Sequence, residues 1–259
     1  MTITIDQTEI YYEMRGHGDS NVLLLHGWGC DHTLMEPVAE GLNNHFRVLI
    51  PDFPGHGKSP DPTEPWGVAE YAAITMKLMK ALDFIPTAVI AHSFGCRVSA
   101  MLAAEHPELF SKIVWTGAAG IRPPATAEKT ARQEKYQSLK KYARIIQNIP
   151  GMKPLGDRIQ ENLIQKYGSK DYAALTPEMR KTFVKIVNED LTPLYPRIRQ
   201  STLLLWGDED QDTPLWMGEK IKEMIPDAGL VILEGGDHFA YLKQIQRFNT
   251  IVNHFLTEA

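Results

Sequence analysis

The chain is short of cysteine, of long apolar runs and of positive charge, and each shortage removes a class of protein. Its 259 residues include two cysteines, Cys30 and Cys96, too few for a disulfide framework and not in a metal-ligand spacing. They read as free thiols. No window approaches the roughly eighteen apolar residues of a membrane span, and the start "MTITIDQTEI" lacks a basic stretch leading into an apolar run. The expectation is a soluble, cytoplasmic protein with no membrane partner. A formal net charge of -5 is not the basic excess of a nucleic-acid binder. Solenoid repeats and low-complexity tracts are missing too.

What the chain does have is 43% hydrophobic and 23% charged residues, enough over this length for one large core. "TEIYYEMRG" alternates apolar and polar residues like a half-exposed antiparallel strand. "NVLLLHG", "RVLIPDF", "TAVIAHS", "KIVWTG", "TLLLWG" and "GLVILEGG" are short continuous apolar runs, the pattern of strands buried on both faces. Helical patterns lie between most of them: in "GVAEYAAITMKLMKALD", Val68, Tyr71, Ala72, Leu78, Met79 and Leu82 make one stripe interrupted by Thr75. Strand and helix in alternation predict an α/β fold, a mostly parallel sheet with helices on both faces. Ligands in such sheets sit beyond the carboxyl ends of the strands.

One interval breaks the alternation. From Ile121 to Arg199 the sequence reads as helices without a buried-strand pattern. Thr176 before Pro177 predicts an N-cap, Asp157 predicts a second, and Met179, Phe183, Ile186 and Val187 make an apolar face. Because it falls between two strands of one sheet, 121–199 is expected as an inserted helical cap roofing the carboxyl edge, with 1–120 and 200–259 as the core.

"VIAHSFGCRVSA" places Ser93 where an apolar run turns into a helix, with Ala91 and Gly95 small on either side. A nucleophile on such a tight turn is lifted clear of the sheet. The usual form is G-x-S-x-G, and Ala91 stands for its first glycine. The alternative is a serine that merely caps the helix. Serine needs a base and a group to orient it. In this kind of fold the chain order runs serine, acid, histidine, and His238 in "GGDHFAYL" satisfies both that order and the carboxyl-edge rule. His106 and His254 read as surface residues. For the acid, "TLLLWGDEDQDTP" offers Asp208, Glu209, Asp210 and Asp212, and spacing does not choose among them. Two backbone N–H groups are needed for a developing oxyanion: Phe94, after the nucleophile, and Trp28 in "HGWG", with His26 bracing that turn.

"LLLHGWG", "DFPGHGKS", "AHSFG", "LWGDED" and "GGDHF" together resemble, in order and interval, the α/β-hydrolase superfamily, over the whole chain except the cap. The resemblance implies Ser93 as nucleophile, His238 as general base and Asp210 as acid, because the G-x-x-D pattern falls on Gly207 to Asp210, with Asp208 as fallback. It assigns "DFPGHGKS" to a structural turn. Serine at position 93 separates the chain from the haloalkane dehalogenases and epoxide hydrolases, which use aspartate there. The expected chemistry is ester cleavage through an acyl-enzyme, with no metal and no organic cofactor. The same resemblance extends to carboxylesterases acting on a carrier-linked methyl ester, enol-lactonases and small acyl esterases, and its triad also serves carbon–carbon bond hydrolases, acyltransferases and weakly catalytic receptors.

Trp28, Phe94 and Phe239 are candidate walls of a pocket for an apolar acyl or aryl group. Residues 121–199 hold 16 Lys/Arg against 8 Asp/Glu, leaving 11 against 24 elsewhere. A basic cap on an acidic body suits an acidic partner such as a carrier protein, with Lys140, Lys141 and Arg144 as contacts. A monomer or homodimer is expected.

Overall fold

The apolar runs do become strands. In the computed structural model, which describes residues 1–42, 46–124 and 127–258, eight strands form one sheet in the order β1-β2-β4-β3-β5-β6-β7-β8. They are β1 (Thr2–Ile5), β2 (Thr8–Arg15), β3 (Ser20–Leu25), β4 (Phe46–Pro51), β5 (Ala88–His92), β6 (Lys112–Thr116), β7 (Ser201–Gly207) and β8 (Ala228–Leu233). β2 pairs antiparallel with β1 and β4, and every pairing from β4 to β8 is parallel. The carboxyl ends of six strands therefore share one edge. β2 is the half-exposed antiparallel strand that its alternation predicts.

Two departures concern the sheet's margins. β1 is a strand the apolar pattern did not indicate: four residues of alternating Thr and Ile, paired on one side only. β8 was expected to be buried on both faces, yet most of it is partly exposed. It is the terminal strand of the sheet, so its apolar side chains cover β7 without a further strand beyond them.

The chain forms two compact units, Met1–Ile121 with Lys185–Ala259, and Arg122–Val184. The first holds the sheet and α1 (Glu36–Gly41), α2 (Val68–Ala81), α3 (Phe94–Glu105), α8 (Leu215–Met224), α9 (Ala240–Lys243) and α10 (Ile245–Thr257). Val22 to Leu25 are fully buried, each worth about 1.5–3 kcal/mol in apolar surface withdrawn from water. One cluster joins Leu23, Leu25, Val89 and Trp115 to α2 and α3; a second joins Val22, Leu24, Ile90 and Val114 to α1 and α10. These are the two faces of the sheet. On α2, Thr75 in the apolar stripe is buried because its hydroxyl donates back to Tyr71 O at 2.8 Å. α3 is buried from Phe94 to Ala104, as a small-residue helix pressed on a sheet should be.

The second unit holds α4 (Ala127–Gln147), α5 (Lys153–Tyr167), α6 (Lys170–Ala174) and the start of α7 (Pro177–Asn188). Thr176 Oγ1 accepts from Met179 N at 3.2 Å, capping α7. Asp157 does not cap: α5 starts earlier, with Met152 at the N-cap and a proline in the first turn, and proline's fixed φ favours that start. Asp157 instead accepts from Gln147 Nε2 at 3.0 Å, tying α5 to α4. Arg180 grips Glu161 with two hydrogen bonds of 3.0 Å. Residues 185–199, included in the expected cap, group with the sheet unit: Arg97 Nη1 donates to Glu189 O at 2.9 Å, Leu191 N to Gly120 O at 2.9 Å, and Tyr195 packs on Trp115.

Candidate active site

Each named residue of the site sits just past a parallel strand. Ser93 follows β5 and begins the turn into α3, with φ 49° and ψ -105°. A non-glycine residue in that region costs on the order of 1–3 kcal/mol and is held there only by its surroundings. Here Ser93 N donates to Thr116 O at 3.1 Å across to β6. Its side chain makes no capping hydrogen bond, which sets aside the reading of Ser93 as a helix cap. Gly95 is small because a Cβ there would stand 2.4 Å from Leu25 O, so α3 reaches β3 only with glycine at this position.

His238 lies in the loop after β8, Asp210 in the loop after β7. Nδ1 of His238 is 2.8 Å from Asp210 Oδ2. Asp210 is buried, and its other partners are the amides of Asp212 and Thr213 at 2.9 Å on Oδ1, and the Thr213 hydroxyl at 2.9 Å on Oδ2. Burial acts to raise the Asp210 carboxyl, but the hydrogen bonds from His238 and Thr213 and the attraction of His238 outweigh it and hold the group below the usual range. An ionised carboxylate only accepts, so Nδ1 carries the proton and Nε2 of the neutral ring is the basic nitrogen. Asp208 is used elsewhere, accepting from Gly235 N at 2.7 Å. Thr213, whose amide and hydroxyl both donate to the Asp210 carboxylate, was not singled out from the sequence; it lies three residues beyond Asp210 in no recognisable pattern.

His26 braces the loop after β3. Its Nδ1 contacts Gly27 O at 2.7 Å and its Nε2 accepts from Phe53 N at 3.0 Å, while Cys30 N also donates to Gly27 O at 3.2 Å. In a planar trans peptide the amide points opposite to the carbonyl. Holding Gly27 O inward therefore turns the Trp28 N–H outward. Phe94 supplies the first N–H of α3, one of those with no acceptor inside the helix. The Phe94 ring is buried among Trp28, Phe53 and Tyr71, with centroids 5.0–5.3 Å apart; Trp28 and Phe239 are partly exposed. Phe239 lies 5.5 Å from the His238 ring.

"DFPGHGKS" is a tied turn: buried Asp52 accepts from His32 N at 2.6 Å, His32 Nδ1 at 2.9 Å and Lys58 N at 2.9 Å. Among the described residues, two groups bring metal-ligand-type atoms within 4.8 Å of one another, Glu13–His32–Glu36 and Asp210–Asp212–His238. Arg15 pairs with both glutamates of the first, and His238 is already bonded to Asp210 in the second. On α4, Lys141 and Arg144 are exposed and Lys140 is half-buried, its Nζ 6.0 Å over the Tyr136 ring. Among the described residues no helix is long and apolar enough to cross a membrane.

The chain is 25% identical over 259 residues to a pimeloyl-[acyl-carrier protein] methyl ester esterase of Chromobacterium violaceum, covering 96% of this chain and 99% of that one. It is 27% identical over 272 residues to a 2-hydroxy-6-oxo-6-phenylhexa-2,4-dienoate hydrolase of Comamonas testosteroni, covering 96% and 91%. Its fold matches the crystal structure of an enol-lactonase from Burkholderia xenovorans LB400 with a TM-score of 0.74 over 100% of both chains, at 22% identity. The model of the alpha/beta hydrolase fold family matches residues 20–244. With that span, an eight-stranded sheet of the expected topology and hydrolases among its relatives, the chain belongs to the α/β-hydrolase fold family.

Proposed function

We propose that the protein is a serine hydrolase that cleaves a carboxylic ester through an acyl-enzyme. The observation that carries this reading is the His238–Asp210 pair at 2.8 Å on the sheet edge where Ser93 occupies its strained turn. His238 Nε2 takes the proton of Ser93 as Oγ adds to the ester carbonyl. The oxygen that gains charge accepts hydrogen bonds from the Trp28 and Phe94 amides. Collapse breaks the bond to the alkoxy group, which leaves with the proton from His238, and water then repeats the sequence on the acyl-serine. Trp28 and Phe239 serve as walls for an apolar acyl or aryl group. In the helical unit Arg122–Val184, Lys140, Lys141 and Arg144 receive an acidic carrier of the substrate.

The carbon–carbon bond hydrolase among the relatives supports a second reading with the same three side chains, in which a ketone replaces the ester. A panel of aryl esters of increasing acyl length, lactones and vinylogous diketones, run beside Ser93→Ala, separates the two. Repeated turnover fastest on esters and lost in Ser93→Ala is expected. Faster cleavage of the diketones, or a single turnover on every compound, would replace the ester reading by carbon–carbon hydrolysis or by a receptor.

A further inference from the structure

The residue before the serine is a histidine buried at the end of a strand, and the mechanism above does not use it. His92 is 1% exposed. Its Nδ1 lies 3.2 Å from Thr116 O, and a carbonyl only accepts, so Nδ1 bears the proton and Nε2 a lone pair. That Nε2 is buried and has no hydrogen-bond partner. Burial, reinforced by repulsion from His238, pushes the ring down to about 3, so it is neutral at any working pH. An orphaned acceptor in a core is costly, and phenylalanine would fill such a place at no polar cost.

The contacts say what the ring touches. Its centroid is 4.7 Å from that of His238, 5.1 Å from Phe239 and 4.8 Å from Tyr241. On its remaining side is Gly27, where a Cβ would come within 2.8 Å of His92 Cδ2, 3.3 Å of Nε2 and 3.4 Å of the Ser93 Cβ. One ring thus meets the loop that carries the base and the loop that presents the Trp28 amide. Thr116 O, which accepts from the Ser93 amide, fixes the ring's inner edge.

We propose that His92 is a positioning residue, whose ring, hydrogen-bonded to Thr116 O, sets the His238 imidazole and the Gly27–Trp28 loop at fixed distances from Ser93. The inference rests on the acyl-transfer reading for its consequence, though not for its geometry. The groups that bear electrostatically on the ring are His238 and Asp210 from the loops after β8 and β7 and His26 after β3; Tyr241 of α9 meets it as a ring, and Cys96 of α3 shares Thr116 O. None of these adds a positive charge beside it when His238 is neutral. When His238 takes the serine proton, the uncharged His92 lone pair leaves room for one imidazolium in the pair.

Two variants and one measurement on the intact protein test this. His92→Asn keeps a donor to Thr116 O and removes the outer ring; kcat on an aryl ester should fall about tenfold or more, with KM changed less than about threefold and the acid limb of the pH profile displaced, since small misplacements of reacting groups are expensive. His92→Phe restores a ring without the donor to Thr116 O, so it should recover only part of that loss and stay at least about threefold below wild type; full wild-type kcat in His92→Phe would overturn the role of that bond. A folded His92→Asn protein with kcat within about twofold of wild type and an unmoved acid limb would overturn the proposal. If the variants do not fold, nitrogen-15 histidine spectra of the wild-type protein decide. His92 should remain protonated on Nδ1 alone from pH 5 to 9; a ring with its proton on Nε2, or with protons on both nitrogens, within that range would overturn it. Absence of ester turnover in the wild type defeats the acyl-transfer reading instead, and leaves these spectra as the test of the geometry.

Discussion

His238 Nδ1 and Asp210 Oδ2 stand 2.8 Å apart, and the carboxylate, able only to accept, dictates which nitrogen keeps the proton. Asparagine has an amide that can face Nδ1 and favour the opposite tautomer. Asp210→Asn should therefore lower kcat on an aryl ester by on the order of a thousandfold or more while leaving the fold intact. Steady-state kinetics at pH 7 beside a far-ultraviolet circular dichroism spectrum check both halves. A loss below about tenfold would deny Asp210 this role.

Ser93 is held at φ 49° and ψ -105°, a conformation glycine reaches without a Cβ penalty and alanine does not. Ser93→Gly should be more stable than Ser93→Ala by about 1 kcal/mol or more, and both should be inactive. Urea denaturation of the two inactive variants measures the difference directly. Equal stabilities would mean that the turn is not strained.

Among the described residues, His26, His56 and His92 are buried in their neutral form: burial pushes His26 and His92 down to about 3 and His56 to about 4. In the unfolded chain each titrates near 6.5, so below that pH the unfolded state binds protons that the folded state refuses. The stability these rings contribute is lost as pH falls through about 6.5, down toward about 4 for His56 and about 3 for His26 and His92, at up to roughly 1.4 kcal/mol per pH unit for each ring. Urea midpoints should drop steeply between pH 6.5 and 4.5, with proton uptake on unfolding. A flat profile over that window would contradict neutral burial.

Lys141 and Arg144 are exposed on α4 beside half-buried Lys140. Replacing all three by glutamate should lower kcat/KM on an acyl-carrier-linked ester at low salt, by about tenfold, and leave a small aryl ester unaffected, because attraction between charged surfaces is screened as salt rises. Equal rates on the carrier-linked ester before and after charge reversal would remove the docking surface.

Legibility from sequence followed burial. β3 to β7 are continuous apolar runs because both faces of each are covered, and they are read directly. β8 looks the same in sequence, yet half of its surroundings are solvent, since the number of neighbours in a sheet is a property of topology and not of the strand. Ser93 is proposed from its small flanking residues, and His238 from its order in the chain. The acid was open among four carboxylates on spacing alone, because what distinguishes Asp210 is a set of hydrogen bonds to Thr213 and His238 that only the fold assembles. Asp157 is a good capping side chain, but Pro154 in the first turn sets the start of α5 at Lys153, with Met152 at the N-cap. His92 is legible as a polar residue ending a strand whose other four members are apolar.

In the proposed mechanism Ser93 is the residue made nucleophilic at this edge of the sheet. Reaction with a fluorophosphonate, followed by intact mass and peptide mapping, tests it most directly. One label per chain is expected, on Ser93, slowed strongly by Asp210→Asn and absent from Ser93→Ala; a label on another residue, or an unlabelled wild-type chain that still hydrolyses esters, would contradict that role.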